Sequence, residues 1–522
     1  MIFKKNTIEK KAANKNGVKR LAFAALSMLI EIMLIVLLFT SLYRVAEWVA
    51  VLTKIIGLIF VLYIYGQHKT SSMKMPWIIF ILMFPVFGLV MYLLVGLNGS
   101  TKKKRKAIAE ADEWLFKYLP ENTDEIENVK KENTRIYNIC SYIEKYAGYP
   151  VYQNSDVKYY DKAIDAFNAQ LEELKKAKNF IFMEYHAIEN KESWKKVEDV
   201  LFQKVSEGVE VRVFYDDMGS ISFVNTDFAR RLRENGIKCQ VFNEFSHGIN
   251  FFLNNRDHRK ITVIDGRVAF TGGYNLANEY FGITEPYGKW KDSGIKVTGE
   301  AVRSFTVMFL EMWNINDKNK MYIDEDVDKY FPQESYLSAD DGYIQPYADS
   351  PLDDEQVGEE VYISIINKAD KYCYFVTPYL IITDEMIHAF SLAAKRGVDV
   401  RIITPGIPDK KIVYGVTRSF YNGLVRNGVR IYEWTPGFSH AKMSVADDIM
   451  ATCGTINLDY RSLYHHFENG CFMYNMNAVK DIKADFEKLF TECNDVTENY
   501  KTGRSSFMRF GQMVLRLFAE LM

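Results

Sequence analysis

The stretch His258-Arg-Lys-Ile-Thr-Val-Ile-Asp265 and its counterpart His440-Ala-Lys-Met-Ser-Val-Ala-Asp447 share a histidine, a lysine two residues later and an aspartate five residues after that. In both cases six residues separate the aspartate from a second block, Gly272-Gly-Tyr-Asn275 or Gly454-Thr-Ile-Asn457. One histidine-x-lysine pair occurs often by chance, but five matching positions at equal spacing do not. The two stretches therefore predict equivalent units that build a single site.

Segments on either side of these stretches also recur, in the same order, in both parts of the chain. Short β-rich runs that alternate with helices predict an α/β sheet with helices on its faces. The repetition predicts two such domains related by duplication. The matching pairs are Ala163–Lys178 and Glu360–Lys371, Lys178–Tyr185 and Lys371–Tyr379, Gly208–Arg212 and Gly397–Arg401, and Asn235–Phe242 and Asn427–Trp434.

The organisation of the remaining chain follows from composition. A charged, helix-prone linker precedes the first domain, and an acidic stretch that contains proline connects the two domains. The predicted parts are a basic arm at 1–20, a membrane region at 21–99, the linker at 100–134, the first α/β domain at 135–320, the acidic connection at 321–356, the second α/β domain at 357–500 and an amphipathic C-terminal helix at 501–522.

The C-terminal helix is predicted from apolar residues at helical spacing. Arginines accompany them, which is typical of a helix that lies in a membrane interface, and a helix docked on the protein core would show the same apolar spacing. The apolar residues are Phe507, Phe510, Val514, Leu517 and Leu521, and the arginines are Arg504, Arg509 and Arg516.

Three apolar stretches near the start predict membrane helices: Leu21–Tyr43, Trp48–Tyr65 and Pro76–Leu97. The first and third are long enough to cover the hydrocarbon core, which takes about 20 residues, and the second is borderline. Basic residues stand both before the first stretch and after the third, at Lys102–Lys106. Because basic flanks stay on the cytoplasmic side, two crossings and cytoplasmic catalytic domains are favoured over three crossings.

Weak points within these stretches indicate which of them fails to cross. Lys54 interrupts the second stretch, and Pro85 and Gly88 interrupt the third. Glu31 in the first stretch is an acid that a neighbouring helix is able to cover, and we assign it no function.

Composition excludes some classes of protein. The net charge is −2, so no basic excess indicates binding to nucleic acid. The six cysteines lie far apart and form no metal-ligand spacing, which favours buried free thiols over disulfides, and disulfides over a zinc site.

The chemistry of the two stretches follows from strand geometry. Residues i and i+2 of a strand face the same side, so His258 and Lys260 point together, as do His440 and Lys442. The two lysines, with Asn275 and Asn457, predict a pocket for a phosphate diester that needs no metal. The glycine that opens each second block is expected to let the backbone approach a ligand closely.

The two histidines are expected to have different catalytic roles. One attacks phosphorus to form a phosphohistidine, and the other protonates the leaving alkoxide and then deprotonates the incoming hydroxyl. Each needs a carboxylate on its other ring nitrogen. Asp265 and Asp447 are candidates from spacing alone, and so are Asp292 and Glu468, which follow each stretch further along.

These motifs resemble the two HKD motifs of the phospholipase D superfamily, and among its members the bacterial cardiolipin synthases. Asn255–Lys260, Trp290-Lys-Asp292, Asn457–Ser462 and the Gly-Val-acid-Val repeats carry the resemblance, together with the apolar segment around Pro85–Tyr92. Two departures, Thr455 where serine is commoner and Gln345 before Pro346, leave the predicted chemistry intact.

The resemblance implies N-terminal transmembrane helices followed by two duplicated domains, each a mixed sheet flanked by helices, which share one active site. It implies that His258 is the nucleophile and His440 the acid and base, with Lys260, Lys442, Asn275 and Asn457 on the phosphate. Asp292 and Glu468 then orient the histidines. Asp265 and Asp447, although part of the catalytic motif, become mostly structural.

The predicted reaction converts two phosphatidylglycerols into cardiolipin and glycerol at the cell membrane, with phospholipids and the bilayer as partners and without a cofactor, metal or nucleic acid. A site that excludes water favours transfer over hydrolysis. The alternatives are a hydrolytic phospholipase D, a synthase with another alcohol or lipid acceptor, a scaffold that has lost the chemistry, and a nuclease. The oligomeric state is not predicted.

Overall fold

The computed structural model describes residues 47–67, 70–93, 102–225, 227–244, 255–316, 326–353 and 355–501, with a few single positions before residue 38 and after residue 510. The predicted basic arm, Glu31 and most of the first apolar stretch lie outside the described residues.

The first α/β domain is built on a seven-stranded mixed sheet with the order β1-β9-β7-β6-β2-β3-β4. Strands β2, β3 and β4 are parallel, whereas β6 runs antiparallel to β2 and opens an antiparallel half formed by β6, β7, β9 and β1. The central strand β2 is buried along its whole length, as expected for a strand covered on both faces. The bounds are β1 Ser155–Tyr160, β2 Phe180–Tyr185, β3 Glu210–Asp216, β4 Lys238–Phe242, β6 Lys260–Ile264, β7 Val268–Gly272 and β9 Gly294–Gly299.

The second domain repeats this sheet strand for strand. Its order is β10-β19-β17-β16-β11-β13-β14, with β20 added at the edge. The predicted α/β duplication is therefore confirmed, and each histidine motif enters the corresponding strand, β6 or β16. The bounds are β10 Tyr343–Asp349, β11 Tyr372–Val376, β13 Asp399–Pro405, β14 Arg430–Trp434, β16 Met443–Ala446, β17 Met450–Gly454, β19 His466–Tyr474 and β20 Cys493–Asp495. Two short strands, β12 Leu380–Ile381 and β18 Leu458–Asp459, pair in parallel outside this sheet.

Helices cover both faces of the sheets. Val302–Asn316 packs between the two domains, where the side chains of residues 304–313 are all buried. The helix is buried on most of its sides, and its buried Glu311 pairs with Arg259 at 3.2 Å. The helices are α1 Glu47–Tyr65, α2 Ser71–Met83, α3 Pro85–Met91, α4 Lys102–Leu115, α5 Thr123–Glu132, α6 Thr134–Ala147, α7 Ala163–Lys176, α8 Glu192–Ser206, α9 Asp217–Ser220, α10 Phe228–Glu234, α11 Val302–Asn316, α12 Val357–Lys368, α13 Asp384–Lys395, α14 Lys411–Val425, α15 Tyr460–Tyr464, α16 Asn477–Thr491 and α17 Thr497–Lys501.

Short strands join the two domains at the motifs. β5 (Arg256–Asp257), directly before His258, pairs in parallel with the start of β19 of the other domain. β15 (Gly437–Ser439), directly before His440, pairs in parallel with β8 (Lys289–Lys291) of the first domain. Each histidine therefore directly follows a short strand that pairs with the opposite domain.

The apolar N-terminal region differs from its prediction. The third stretch is not one continuous helix, because it breaks at Phe84 into α2 and α3. The two helices pack closely, since a Cβ at Gly88 would lie 2.7 Å from the Ile81 Cα. Among the residues that the structure describes, no helix has the length and apolar content that crossing a bilayer requires.

Two further predictions concern the C-terminal region and the cysteines. The apolar positions predicted for the C-terminal helix lie outside the described residues, but Arg516 stacks on Phe420 of α14 at 4.3 Å and Ala519 is buried. These contacts favour docking on the second domain. All six cysteines are free thiols, and five of them are buried, as the sequence predicted.

Candidate active site

Both histidines are anchored to the opposite domain through their backbones. The His258 N–H donates to the Phe467 carbonyl at 2.9 Å, and the His440 N–H donates to the Lys291 carbonyl at 2.7 Å. These bonds continue the two short strand pairings. The imidazoles therefore occupy equivalent places on the two sides of the domain interface.

Each imidazole is held by a carboxylate from the opposite domain. His258 Nδ1 lies 2.8 and 2.9 Å from the two Glu468 oxygens, and His440 Nδ1 lies 2.8 Å from Asp292 Oδ2. Both carboxylates are fully or almost fully buried. A carboxylate on Nδ1 fixes the tautomer and leaves Nε2 for chemistry, as in the serine hydrolase triad.

The two carboxylates are supported differently. Thr455 Oγ1 and Ser462 Oγ each donate to Glu468 at 2.5 Å. Asp292 accepts instead from the Ser293 N–H at 2.9 Å and needs the space at Gly273, where a Cβ would lie 2.1 Å from its Oδ1. Gly273 occupies the position that corresponds to Thr455. The longer glutamate is therefore paired with a hydroxyl, and the shorter aspartate with a glycine.

The motif lysines lie beside the histidines in a buried environment. Lys260 Nζ donates to the His258 carbonyl at 2.6 Å, and Lys442 Nζ lies 2.7 Å from His440 Nδ1. Burial lowers the pKa of Lys260 to about 8 and that of Lys442 to about 7. A bound phosphodiester would restore their full charge, because its negative charge offsets the loss of water.

Burial also shifts the other ionisable groups of the site. It lowers the pKa of His258 and of His440 well below the ordinary value, and the neighbouring lysines lower it further. Burial raises the pKa of Asp292 to about 7, against the opposing effect of Lys442. Both histidines are therefore unprotonated at neutral pH before an anionic substrate binds, which suits a nucleophile.

A cavity of about 490 Å³ joins the two histidines. His186, Arg256, Arg461 and His466 line its end near His258, whereas Tyr280, Trp290, Tyr379 and Phe438 line its end near His440. Asn275 and Asn457 also line it. The structure thus brings together all the predicted histidines, lysines, asparagines and histidine-bonded carboxylates.

The asparagines have partners that the sequence did not indicate. Asn275 accepts from the Ala187 N–H at 3.1 Å and donates to the Tyr280 hydroxyl at 2.8 Å. The backbone N–H of Asn457 donates to Ser462 at 2.8 Å. The Asn275 side chain is consequently fixed before a substrate enters, whereas the buried side-chain oxygen of Asn457 accepts no hydrogen bond from the described residues.

Asp265 and Asp447 lie outside the cavity, which corrects their place in the catalytic set. Asp265 accepts from the backbone N–H groups of residues 178–180 at 2.7–2.9 Å, and Asp447 accepts from those of residues 370–372 at 2.7–3.0 Å. Both aspartates follow a motif strand in a turn with φ of 52°. They tie that turn to the start of the neighbouring strand, and neither contacts a histidine.

Replacing Asp265 with asparagine should therefore weaken the fold without touching the chemistry. Asparagine tolerates the positive φ, but its amide group cannot accept all three N–H bonds, so we expect a loss of about 1–2 kcal/mol of unfolding free energy. Denaturant unfolding gives this loss, and kcat per folded molecule should stay within about twofold. A large fall in kcat at unchanged stability would contradict the assignment.

The glycines of the second blocks also have a different role from the one predicted. A Cβ at Gly272 would lie 2.4 Å from the Ser293 carbonyl oxygen, and one at Gly454 would lie 2.4 Å from that of Asn469. Both glycines therefore admit the neighbouring strand, not a ligand.

One cluster in the described residues has metal-ligand types at short range, His258, His466 and Glu468. Each Glu468 oxygen already accepts from His258 and from a hydroxyl. The carboxylate is therefore used to orient His258, and we assign no metal to the cluster.

His466 and Trp290 are site residues that sequence reasoning missed. His466 stands two residues before Glu468, and Trp290 stands two residues before Asp292. Their rings lie 5.3 Å from His258 and 5.5 Å from His440, respectively. Alignment of the two halves on their carboxylates would have identified both positions.

Two duplicated α/β domains that share one cavity, with a histidine and a lysine from each, define a phospholipase D-like enzyme. The family model "Cardiolipin synthase, PLD-like domain" matches residues 171–313 and 362–490, and "Phospholipase_D-nuclease N-terminal" matches residues 54–96. The chain belongs to the cardiolipin synthase family, whose members are phosphatidyltransferases.

Individual relatives agree with this assignment. A cardiolipin synthase of Clostridium perfringens is 32% identical, over 87% of this chain and 95% of its own length. A protein of Streptococcus mutans described as uncharacterized is 41% identical, over 88% of this chain and 99% of its own. The crystal structure of a phosphatidylserine synthase from Haemophilus influenzae shares the fold, with a TM-score of 0.55 and 14% identity over 74% of this chain and 98% of its own.

Proposed function

We propose that this protein is a cardiolipin synthase that passes a phosphatidyl group from one phosphatidylglycerol to another and releases glycerol. The observation that carries the proposal is the pair of histidines in one cavity, each bonded to a carboxylate of the opposite domain. Such a pair supplies a nucleophile on one side of a phosphate and an acid and base on the other.

In the first step, His258 Nε2 attacks phosphorus and the bond to the glycerol oxygen breaks. His440 Nε2, protonated when the anionic substrate is bound, gives its proton to that oxygen. Lys260, Lys442, Asn275 and Asn457 hold the equatorial oxygens, where the negative charge of the transition state is spread.

In the second step, neutral His440 takes the proton from a hydroxyl of the second phosphatidylglycerol. The oxygen of that hydroxyl attacks phosphorus, the phosphorus–nitrogen bond to His258 breaks, and cardiolipin forms. The number of protons and phosphodiester bonds is conserved, so the reaction needs no cofactor. Glu468 and Asp292 keep both rings in the reactive tautomer.

The proposal places the enzyme at the cell membrane, where donor and acceptor are both lipids. Helix α1 supports this, because its large apolar side chains are exposed, with Trp48, Leu62 and Tyr65 exposed by 68, 62 and 72%. Apolar side chains arranged in this way fit lipid better than water. We infer from the basic flanks that the catalytic domains are cytoplasmic.

The test uses the purified full-length protein in detergent with phosphatidylglycerol and EDTA. We expect cardiolipin and glycerol in equal amounts, since the proposed chemistry involves no metal. Phosphatidic acid as the main product would identify a hydrolase, and product formation restored only by a divalent ion would contradict the metal-free mechanism. A protein that retains its fold but forms no product would support the alternative of a membrane scaffold that has lost the chemistry.

A further inference from the structure

The two ends of the cavity differ although the domains are duplicates. The position two residues before the histidine-bonded carboxylate is His466 at one end and Trp290 at the other. At the His440 end the rings of Trp290, Tyr280 and Phe438 lie 5.5, 5.2 and 5.9 Å from the imidazole. One end therefore surrounds its histidine with titratable and cationic side chains, and the other surrounds it with aromatic rings.

The chemistry assigns one of these ends to the alcohol. In phosphoryl transfer the attacking and leaving groups stand roughly in line through phosphorus. The alcohol that leaves in the first step and the alcohol that enters in the second must therefore both lie opposite the nucleophile. With His258 as the nucleophile, which rests on the proposed function, both alcohols occupy the aromatic end beside His440.

This end suits the glycerol of a lipid headgroup. Aromatic faces pack against the C–H groups of a polyol, and Asp409 offers a hydrogen-bond acceptor for a hydroxyl. Asp409 lines the cavity and is fixed by the Tyr379 hydroxyl, which donates to it at 2.5 Å. The next residue, Lys410, also lines the cavity and is exposed, so the cavity opens to the surface there.

The acceptor, unlike the leaving glycerol, carries a phosphate of its own. That phosphate stays near the mouth, since its acyl chains remain in the lipid. Lys410 lines the same end, is exposed, and lies with its Nζ 5.6 Å from the centre of the Tyr379 ring. Within the described part of the chain no carboxylate forms an ion pair with it, so its charge is available to an anion.

We propose that Lys410 binds the phosphate of the acceptor phospholipid while the acceptor glycerol lies against Trp290 and Tyr280. Lys410 is then a specificity-determining residue, which favours an anionic lipid acceptor over water or a small alcohol. It takes no part in forming the phosphohistidine, because the donor phosphate is held by Lys260 and Lys442.

A competition between acceptors tests the proposal. The full-length enzyme in mixed micelles receives phosphatidylglycerol together with ethanol, and the ratio of cardiolipin to phosphatidylethanol is measured. Lys410→Ala should lower this ratio about tenfold, as expected for one lost charge-assisted contact to phosphate, because cardiolipin formation falls much further than phosphatidylethanol formation. Lys410→Arg should restore most of the ratio.

Matched variants control for charge alone. Lys411→Ala removes a neighbouring exposed lysine that does not line the cavity and should leave the ratio unchanged. An unchanged ratio in Lys410→Ala, or an equal fall of both products, would overturn the proposal. So would a selective fall of the ratio in Arg461→Ala, because this outcome places the acceptor phosphate at the His258 end. A wild-type enzyme that forms no cardiolipin would refute the proposed function instead.

Discussion

Replacing His258 with asparagine is expected to abolish formation of the covalent phosphatidyl-enzyme and to lower turnover by roughly 10⁴- to 10⁶-fold, the range seen when one member of a nucleophile–base–acid unit is removed. Asparagine keeps polarity and approximate size but offers no nucleophilic nitrogen. The ring of His258 is buried beside Glu468, so the change leaves the surface of the protein unaltered. Cardiolipin production by the purified variant measures the loss.

A substrate with a good leaving group separates the roles of the two histidines. Phosphatidyl-p-nitrophenol releases its phenolate without a proton from the enzyme, so His440→Asn should still complete the first step and then stall, because no base remains for the incoming alcohol. We expect a burst of about one equivalent of p-nitrophenolate and a trapped adduct in His440→Asn, and neither in His258→Asn. The opposite pattern would show that His440 is the nucleophile and that His258 is the acid and base.

The same burst reports the protonation of His258. Burial and the neighbouring lysines lower its pKa well below the ordinary value of about 6.5, so the ring is neutral at pH 7. The nucleophile is lost only when the pH falls through that lowered pKa. The second-order rate constant of the burst in His440→Asn, measured below saturation so that it reports the enzyme without substrate, should therefore be flat around neutrality and decrease only at acidic pH. A decrease of this constant centred at pH 6.5 or above would contradict the lowered pKa of His258.

The fold and the motif residues could be predicted from the sequence because their signals are local. The recurring strand and helix patterns gave the duplication, and the i, i+2 spacing placed each lysine beside its histidine. The carboxylate partners of the histidines could not be predicted in this way. Spacing left four carboxylates as candidates, and the structure bonds only Asp292 and Glu468 to the rings.

The carboxylate partners could not be predicted from the sequence for a physical reason. The carboxylates reach the histidines through pairings between β5 and β19 and between β15 and β8, which join residues more than a hundred positions apart over two or three residues. Strands this short carry no periodic pattern, and their partners lie in the other domain. Asp265 and Asp447 share a motif with the histidines, yet the direction of their strands carries them away from the cavity.

A second large loss of activity is expected when Asp292, the carboxylate bonded to His440, is replaced. Asp292→Ala should lower kcat by about 10²- to 10⁴-fold, because His440 loses the group that fixes its tautomer and stabilises its charged form. Asp292 is almost fully buried and its Oδ2 lies 2.8 Å from His440 Nδ1. Steady-state kinetics on the folded variant measure the change. A loss confined to KM would mean that Asp292 serves substrate binding instead.

Gly273→Ala should lower kcat nearly as much as Asp292→Ala does, although it replaces no polar group of the site. A Cβ at this position would lie 2.1 Å from Asp292 Oδ1, so the carboxylate must move away from His440. The control is Gly423→Ala in α14, where a Cβ meets no atom within 4 Å and helix propensity favours alanine. This variant should be fully active.

The double variant decides whether Gly273 acts through Asp292. Residues that share one interaction are not additive, so Gly273→Ala should cost little further activity once Asp292 is already alanine and the crowded oxygen is gone. Additive losses would show instead that the methyl group disturbs the backbone near His440, whose carbonyl oxygen would lie 3.0 Å from it. A non-additive result would explain why the halves differ at this position, since Thr455 donates to a longer glutamate and Gly273 makes room for a shorter aspartate.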